Sequence, residues 1–180
     1  GEVAERWNVG AWCSQNLVTA YGEQPWSVRR GEDYSQMCWE VVTLRDYLDS
    51  SSSGIQHGPK PYGANNEVIQ EMIPNLTLPI GYPPHAFRRS HTRLWIGPEG
   101  SGVHCHRDLQ DNFVAMVHGR KRFYLTPPHG TPCLGGHRLV TPFLHEAVNA
   151  VTHRESQADS LCSTIEVDLE SGDVLYLPAG

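Results

Sequence analysis

The chain has 180 residues, 39% hydrophobic and 19% charged, which is enough for one domain with a sizeable core and argues against disorder. A net charge of −6 makes nucleic acid a poor partner, and the short basic pieces Arg88-Arg89 and Arg120-Lys121-Arg122 are too small to form a binding face. Five cysteines without a C-x-x-C pair argue against a disulfide framework or zinc knuckle and fit an intracellular setting, cytoplasmic or nuclear; no secretory leader is visible, and no apolar run nears the ~20 residues of a membrane helix.

Along the chain, residues 1–85 mix helical and irregular patterns. Apolar spacing predicts a helix over Val41 to Leu48, with Thr43 as its cap, and the serine run from Ser50 to Gly54 reads as a break. A second short helix is expected from Asn66 to Ile73, ended by Pro74. Trp7, Trp12, Trp26 and Trp39 are expected in the core, since indoles usually bury. From about Thr92 the pattern turns to short strands punctuated by glycine and proline. These are Arg93 to Ile96, Asn112 to Val117, Arg122 to Thr126, Ile165 to Leu169 and Asp173 to Leu177. Such a series suggests a sandwich or barrel. The intervening stretch from Pro127 to Ser163 reads as an insert with a helix around Pro142 to Val151.

The densest polar cluster is His104-Cys105-His106-Arg107-Asp108, between a glycine-rich turn and an apolar strand. In extended backbone, residues two apart project to one side, so His106 and Asp108 can form half of a chelate. A distant second histidine would complete a two-histidine, one-carboxylate facial triad, which leaves open positions on a ferrous ion. The spacing also leaves open an H-x-H pair, His104 with His106, as in metal cupins of other chemistry.

The run from Leu94 to Pro128 resembles the JmjC-type, or cupin-8, protein hydroxylases. The shared pattern is an apolar strand, G-P-x-G (Gly97, Pro98, Gly100), H-x-D (His106, Asp108), N-F (Asn112, Phe113), G-x-K (Gly119, Lys121) and a strand ending at Pro127-Pro128. The segment from Gly172 to Gly180 resembles the stretch just before that family's distal iron-binding histidine.

The resemblance implies a mainly β fold, a double-stranded β-helix or jelly roll with N-terminal helices and a helical insert. It implies a single domain over 1–180, with 86–180 as the jelly-roll core, truncated at its C-terminal end. It implies Fe(II) and 2-oxoglutarate as cofactor and co-substrate, O2 as oxidant, and a protein or peptide substrate to be hydroxylated or demethylated. His106 and Asp108 would bind iron, Lys121 would meet the distal carboxylate of 2-oxoglutarate, and Asn112 would hydrogen-bond within the same site.

Two departures qualify this. The third iron ligand is expected just after Gly180 and is absent from this sequence; the histidines of the insert are not where the family places it. Val103 stands where the family often has a hydroxyl touching the co-substrate, which leaves Thr92 and Tyr124 as substitutes. A catalytically inactive jelly roll serving as a binding or scaffold module is therefore the alternative. Relatives commonly dimerise, so a homodimer is a further expectation.

Overall fold

A computed structural model describes residues 12–30, 38–52, 61–68, 91–103, 108, 110–127 and 164–179. The chain divides into two units, Gly1–Gly102 and Val103–Gly180. Strands predominate among the described residues.

The first unit carries α1 (Ser14–Tyr21), β1 (Pro25–Arg30), β2 (Cys38–Thr43), α2 (Leu44–Ser52), β3 (Tyr62–Glu67) and β4 (Arg93–Ile96). Its sheet runs β2-β1-β3-β4, and the neighbouring strands pair antiparallel. Trp26 and Val28, two apart on β1, are buried together with Leu44 and Tyr47 of α2, and the Trp26 and Tyr47 rings stack at 6.5 Å. The Tyr47 hydroxyl donates to the Ile96 carbonyl at 2.6 Å and accepts the Gly63 N–H at 3.0 Å, so one phenol joins α2 to β3 and β4. A side chain at Gly63 would fall on the Trp26 indole, which explains glycine there.

Polar side chains also build this core. Asn65 takes a positive φ of 58°, and the β3–β4 register shifts between Gly63 and Asn66. At this irregularity the Asn66 amide stands in for a strand backbone: Oδ1 accepts the Ser27 N–H at 2.7 Å and Nδ2 donates to the Ser27 carbonyl at 3.0 Å. Arg29, only 5% exposed, donates from Nη2 to the Gly102 carbonyl at 2.7 Å and lies 5.4 Å over the Tyr62 ring.

Several sequence expectations need correction. The helix expected over Val41 to Leu48 starts only at Leu44, because Val41 and Val42 pair with Ser27 and Trp26 in the sheet. Thr43 does cap it, accepting the Asp46 N–H at 3.0 Å, and the Gln24 and Gly22 carbonyls accept the N–H groups of Leu44 and Arg45. The serine run does not break the chain at Ser50: Ser50 and Ser51 donate their hydroxyls to the Tyr47 carbonyl, and the helix continues to Ser52. Asn66 and Glu67 end a strand rather than begin a helix, and 69–90 lie outside the described residues. Trp12 and Trp26 are buried, but Trp39 is 52% exposed, on a strand at the edge of the sheet; Trp7 lies outside the described residues.

The second unit carries β5 (Asn112–Ala115), β6 (Arg120–Leu125), β7 (Ile165–Glu170) and β8 (Val174–Leu177). Pairing is nested: β5 pairs with β8 and β6 with β7, both antiparallel. The four strands thus form one ribbon bent across two sheets, the connectivity of a jelly roll. At the bend, residues 116–119 face residues 171–173, so one side carries an extra residue. Bonds from Met116 N–H to the Asp173 carbonyl (2.9 Å) and from Gly172 N–H to the Met116 carbonyl (2.7 Å) close it. Gly119 and Gly172 both take positive φ there (82° and 98°), where glycine is unstrained. The expected insert helix falls in 128–163, outside the described residues. No helix among the described residues is long and apolar enough to cross a membrane.

Candidate functional site

One end of the ribbon is defined where β5 begins and β8 finishes. Asn112, the first residue of β5, pairs with Leu177, the last of β8. Its side-chain amide donates to Asp108 Oδ2 at 2.7 Å and, more weakly, to the Gln110 carbonyl at 3.4 Å. The neighbouring Asp111 accepts the Ala179 N–H on Oδ1 at 2.8 Å. Asp108, Asp111, Asn112 and the segment leaving β8 therefore share one end of the second unit. Asp108 is solvent-exposed, with one carboxylate oxygen oriented by an amide.

Strand alternation decides what Lys121 does. Arg120, Arg122 and Tyr124 are exposed, whereas Lys121, Phe123 and Leu125 are half-buried. Across the ladder Lys121 faces Leu169, which is 5% exposed, and Phe123 faces Val167. The Lys121 ammonium sits 5.2 Å over the Phe123 ring. Of three consecutive cations, only the middle one enters the apolar face.

The outer face is a charge ladder. Arg122 donates from Nε and Nη2 to the two Asp168 oxygens at 2.6 and 2.7 Å, and Glu166 lies 3.7 Å from its Nη1. The hydrogen bonds to Asp168, and secondarily to the Tyr124 hydroxyl, raise the pKa of Arg122 above that of ordinary arginine. The same pairing holds the Asp168 carboxyl below the usual carboxylate range. Tyr124 is consequently engaged on the outer face with Arg122. Strand alternation places Tyr124 on the face of β6 opposite to Lys121.

The remaining candidates are placed as follows. Thr92 precedes β4 in the first unit; its hydroxyl is buried without a hydrogen-bond partner among the described residues. Val103 is 38% exposed. His104 and His106 lie outside the described residues, and among those described no group of three or more histidine, cysteine or acidic side chains could hold a metal. Sequence reasoning missed Asp111. Its acidic character next to the N-F pair was visible, but its partner is 68 residues away and only the register of β5 on β8 reveals it.

Comparison with known proteins identifies the family of the domain. The family model for the cupin-like domain matches residues 16–180. Lysine-specific demethylase 8 of Danio rerio is 26% identical over 179 residues, covering 93% of this chain and 43% of that protein. HSPB1-associated protein 1 homolog of Danio rerio is 33% identical over 104 residues, covering 55% of this chain and 23% of that protein. JmjC domain-containing protein D of Dictyostelium discoideum is 30% identical over 87 residues, covering 47% of this chain and 19% of that protein. The chain spans less than half the length of these curated relatives. With nested jelly-roll strands and a family match over nearly its whole length, the chain belongs to the cupin-like domain family of JmjC type.

Proposed function

We propose that this chain is the catalytic jelly roll of an Fe(II)- and 2-oxoglutarate-dependent dioxygenase that hydroxylates a peptide or protein side chain. One cupin-like domain over the whole chain is part of the same proposal, supported by the family match over residues 16–180. The observation that carries the reading is the Asn112 amide, which fixes one oxygen of the Asp108 carboxylate at the end of the ribbon, in a chain whose family match runs over residues 16–180. Lys121, on the half-buried face of β6, is the residue proposed to meet the distal carboxylate of a dicarboxylate co-substrate.

The donor chemistry fits the implied iron. Asp108 offers a carboxylate with one oxygen fixed by Asn112, and a carboxylate combined with the His106 imidazole suits a ferrous ion with open positions. When bound, the iron would activate O2, the oxidant; one oxygen atom would enter succinate as 2-oxoglutarate loses CO2, and the other would enter the substrate C–H bond. The protein's own residues then do three things. Asn112 holds the Asp108 carboxylate in one orientation. Lys121 fixes the far end of the co-substrate, so that its near end is presented in one pose. Phe123 and Leu169 flank the Lys121 side chain and lower the local polarity, which strengthens its grip on an anion.

The protein substrate is supported by the similarity to one relative, a lysine-specific demethylase. Hydroxylation of an N-methyl carbon would end in demethylation, whereas hydroxylation of another carbon would leave a product heavier by one oxygen. The test is succinate formation by the full-length protein with Fe(II) and 2-oxoglutarate, followed by mass analysis of modified peptides. Asp108→Ala is expected to abolish turnover with the fold intact. A full-length protein that never consumes 2-oxoglutarate refutes the proposal.

A further inference from the structure

We propose that Asp111 is a positioning residue for the metal centre, tying the segment that leaves β8 to the start of β5 and so holding in place the strand end from which Asn112 grips Asp108. The proposal rests on the assignment of Asp108 as a metal ligand made above.

Three observations carry it. First, the β5–β8 ladder stops at the pair Asn112 and Leu177. Second, the next residue is Pro178, which has no N–H and cannot extend a ladder. The first backbone donor available beyond the sheet is therefore Ala179, and the Asp111 carboxylate takes it at 2.8 Å. A carboxylate acceptor makes such a bond stronger than a neutral one. Third, the adjacent Asn112 holds Asp108 Oδ2 at 2.7 Å. Two neighbouring side chains thus act at one end of the ribbon: Asn112 orients the Asp108 ligand, and Asp111 holds the segment leaving β8 against the start of β5. The ladder cannot replace the Asp111 contact, because Pro178 interrupts it.

The alternative is that Asp111 binds the metal itself. The two roles separate by charge. An asparagine keeps an oxygen that accepts the Ala179 N–H but loses the anionic donor, so a tie survives Asp111→Asn and a ligand does not.

The experiment uses the full-length protein without oxygen and measures Fe(II) affinity by competition with a chromophoric chelator, together with hydrogen exchange at the Ala179 amide. Asp111→Ala is expected to weaken Fe(II) binding by about 10-fold or more, the range seen when groups that orient ligands are removed, and to speed exchange at Ala179. Asp111→Asn is expected to stay within about 3-fold of the parent, well short of that loss. Ala179→Pro deletes the donor instead of the acceptor and is expected to reproduce the loss, which keeps the test open if Asp111→Ala does not fold. Unchanged affinity or unchanged exchange in Asp111→Ala overturns the proposal, as does an asparagine variant as weak as the alanine. Asp108→Ala is the control for the reading beneath it: if that variant retains Fe(II), the metal assignment falls, whatever Ala179 shows.

Discussion

Replacing Lys121 by methionine separates its binding role from any part in folding. The side chain is half-buried, faces Leu169 and covers the Phe123 ring, so a flexible apolar residue of similar length can occupy the same space. An ammonium and a carboxylate about 4 Å apart at an effective dielectric of ~20 attract by ~4 kcal/mol. Stripping water from both groups, and the solvent still reaching Lys121, remove about half of that. The remaining ~2 kcal/mol corresponds to roughly 30-fold in affinity. Lys121→Met should therefore weaken 2-oxoglutarate binding by about 30-fold while Fe(II) binding and thermal stability hold. Titration calorimetry of the Fe(II)-loaded, oxygen-free protein measures this, with the exposed Arg120→Met as control. A loss under about 3-fold, or an equal loss in the Arg120 variant, would refute the placement of the co-substrate on this face.

Two further outcomes concern the scaffold. Tyr47→Phe removes the hydroxyl that serves the Ile96 carbonyl and the Gly63 N–H, and should cost about 2 kcal/mol in urea unfolding because both backbone groups lose a partner in the core. The Asp168 carboxyl is held below its usual range by Arg122, so its contribution is present above the ordinary carboxylate pKa and lost as pH falls through the lowered one. Asp168→Asn should accordingly be less stable than the parent at neutral pH, with the two curves converging only as pH falls through the lowered Asp168 pKa and the gap shrinking in high salt. A gap that widens on acidification contradicts that sign.

Much of the second unit was legible because its strands are short, apolar and bounded by glycine or proline. The ends of β5, β6, β7 and β8 all lie within two residues of expectation, and in the first unit β4 spans Arg93–Ile96 as expected. The first unit was harder. PWSVRR hides a strand because Arg29 is buried beside Val28, breaking the apolar-polar alternation. YGANNE hides another because Asn66 earns its burial through bonds to Ser27, a partner 39 residues away. Thr43 announced a helix start correctly, but the valines before it belong to the sheet, and helical spacing cannot distinguish the two over so short a run. At the site, the spacing of Asp108, Asn112 and Lys121 could be read directly. That Asn112 grips Asp108, that Tyr124 turns away with Arg122, and that Asp111 reaches Ala179 all depend on strand phase and register, which composition does not encode.

The bend between β5 and β6 gives this phase an unusual sensitivity. Connectors usually tolerate changes of length better than changes of shape. Here the number of residues from 116 to 119 sets which of Arg120, Lys121 and Arg122 is turned toward the interior. Removing one of them while β5 stays in place would exchange odd for even along the next strand, exposing the ammonium and thrusting guanidinium groups among leucine and valine side chains. Substitution of Met116, Val117 or His118 would leave this phase intact, yet a single-codon deletion of one of them would disarm the strand without touching any residue of the motif.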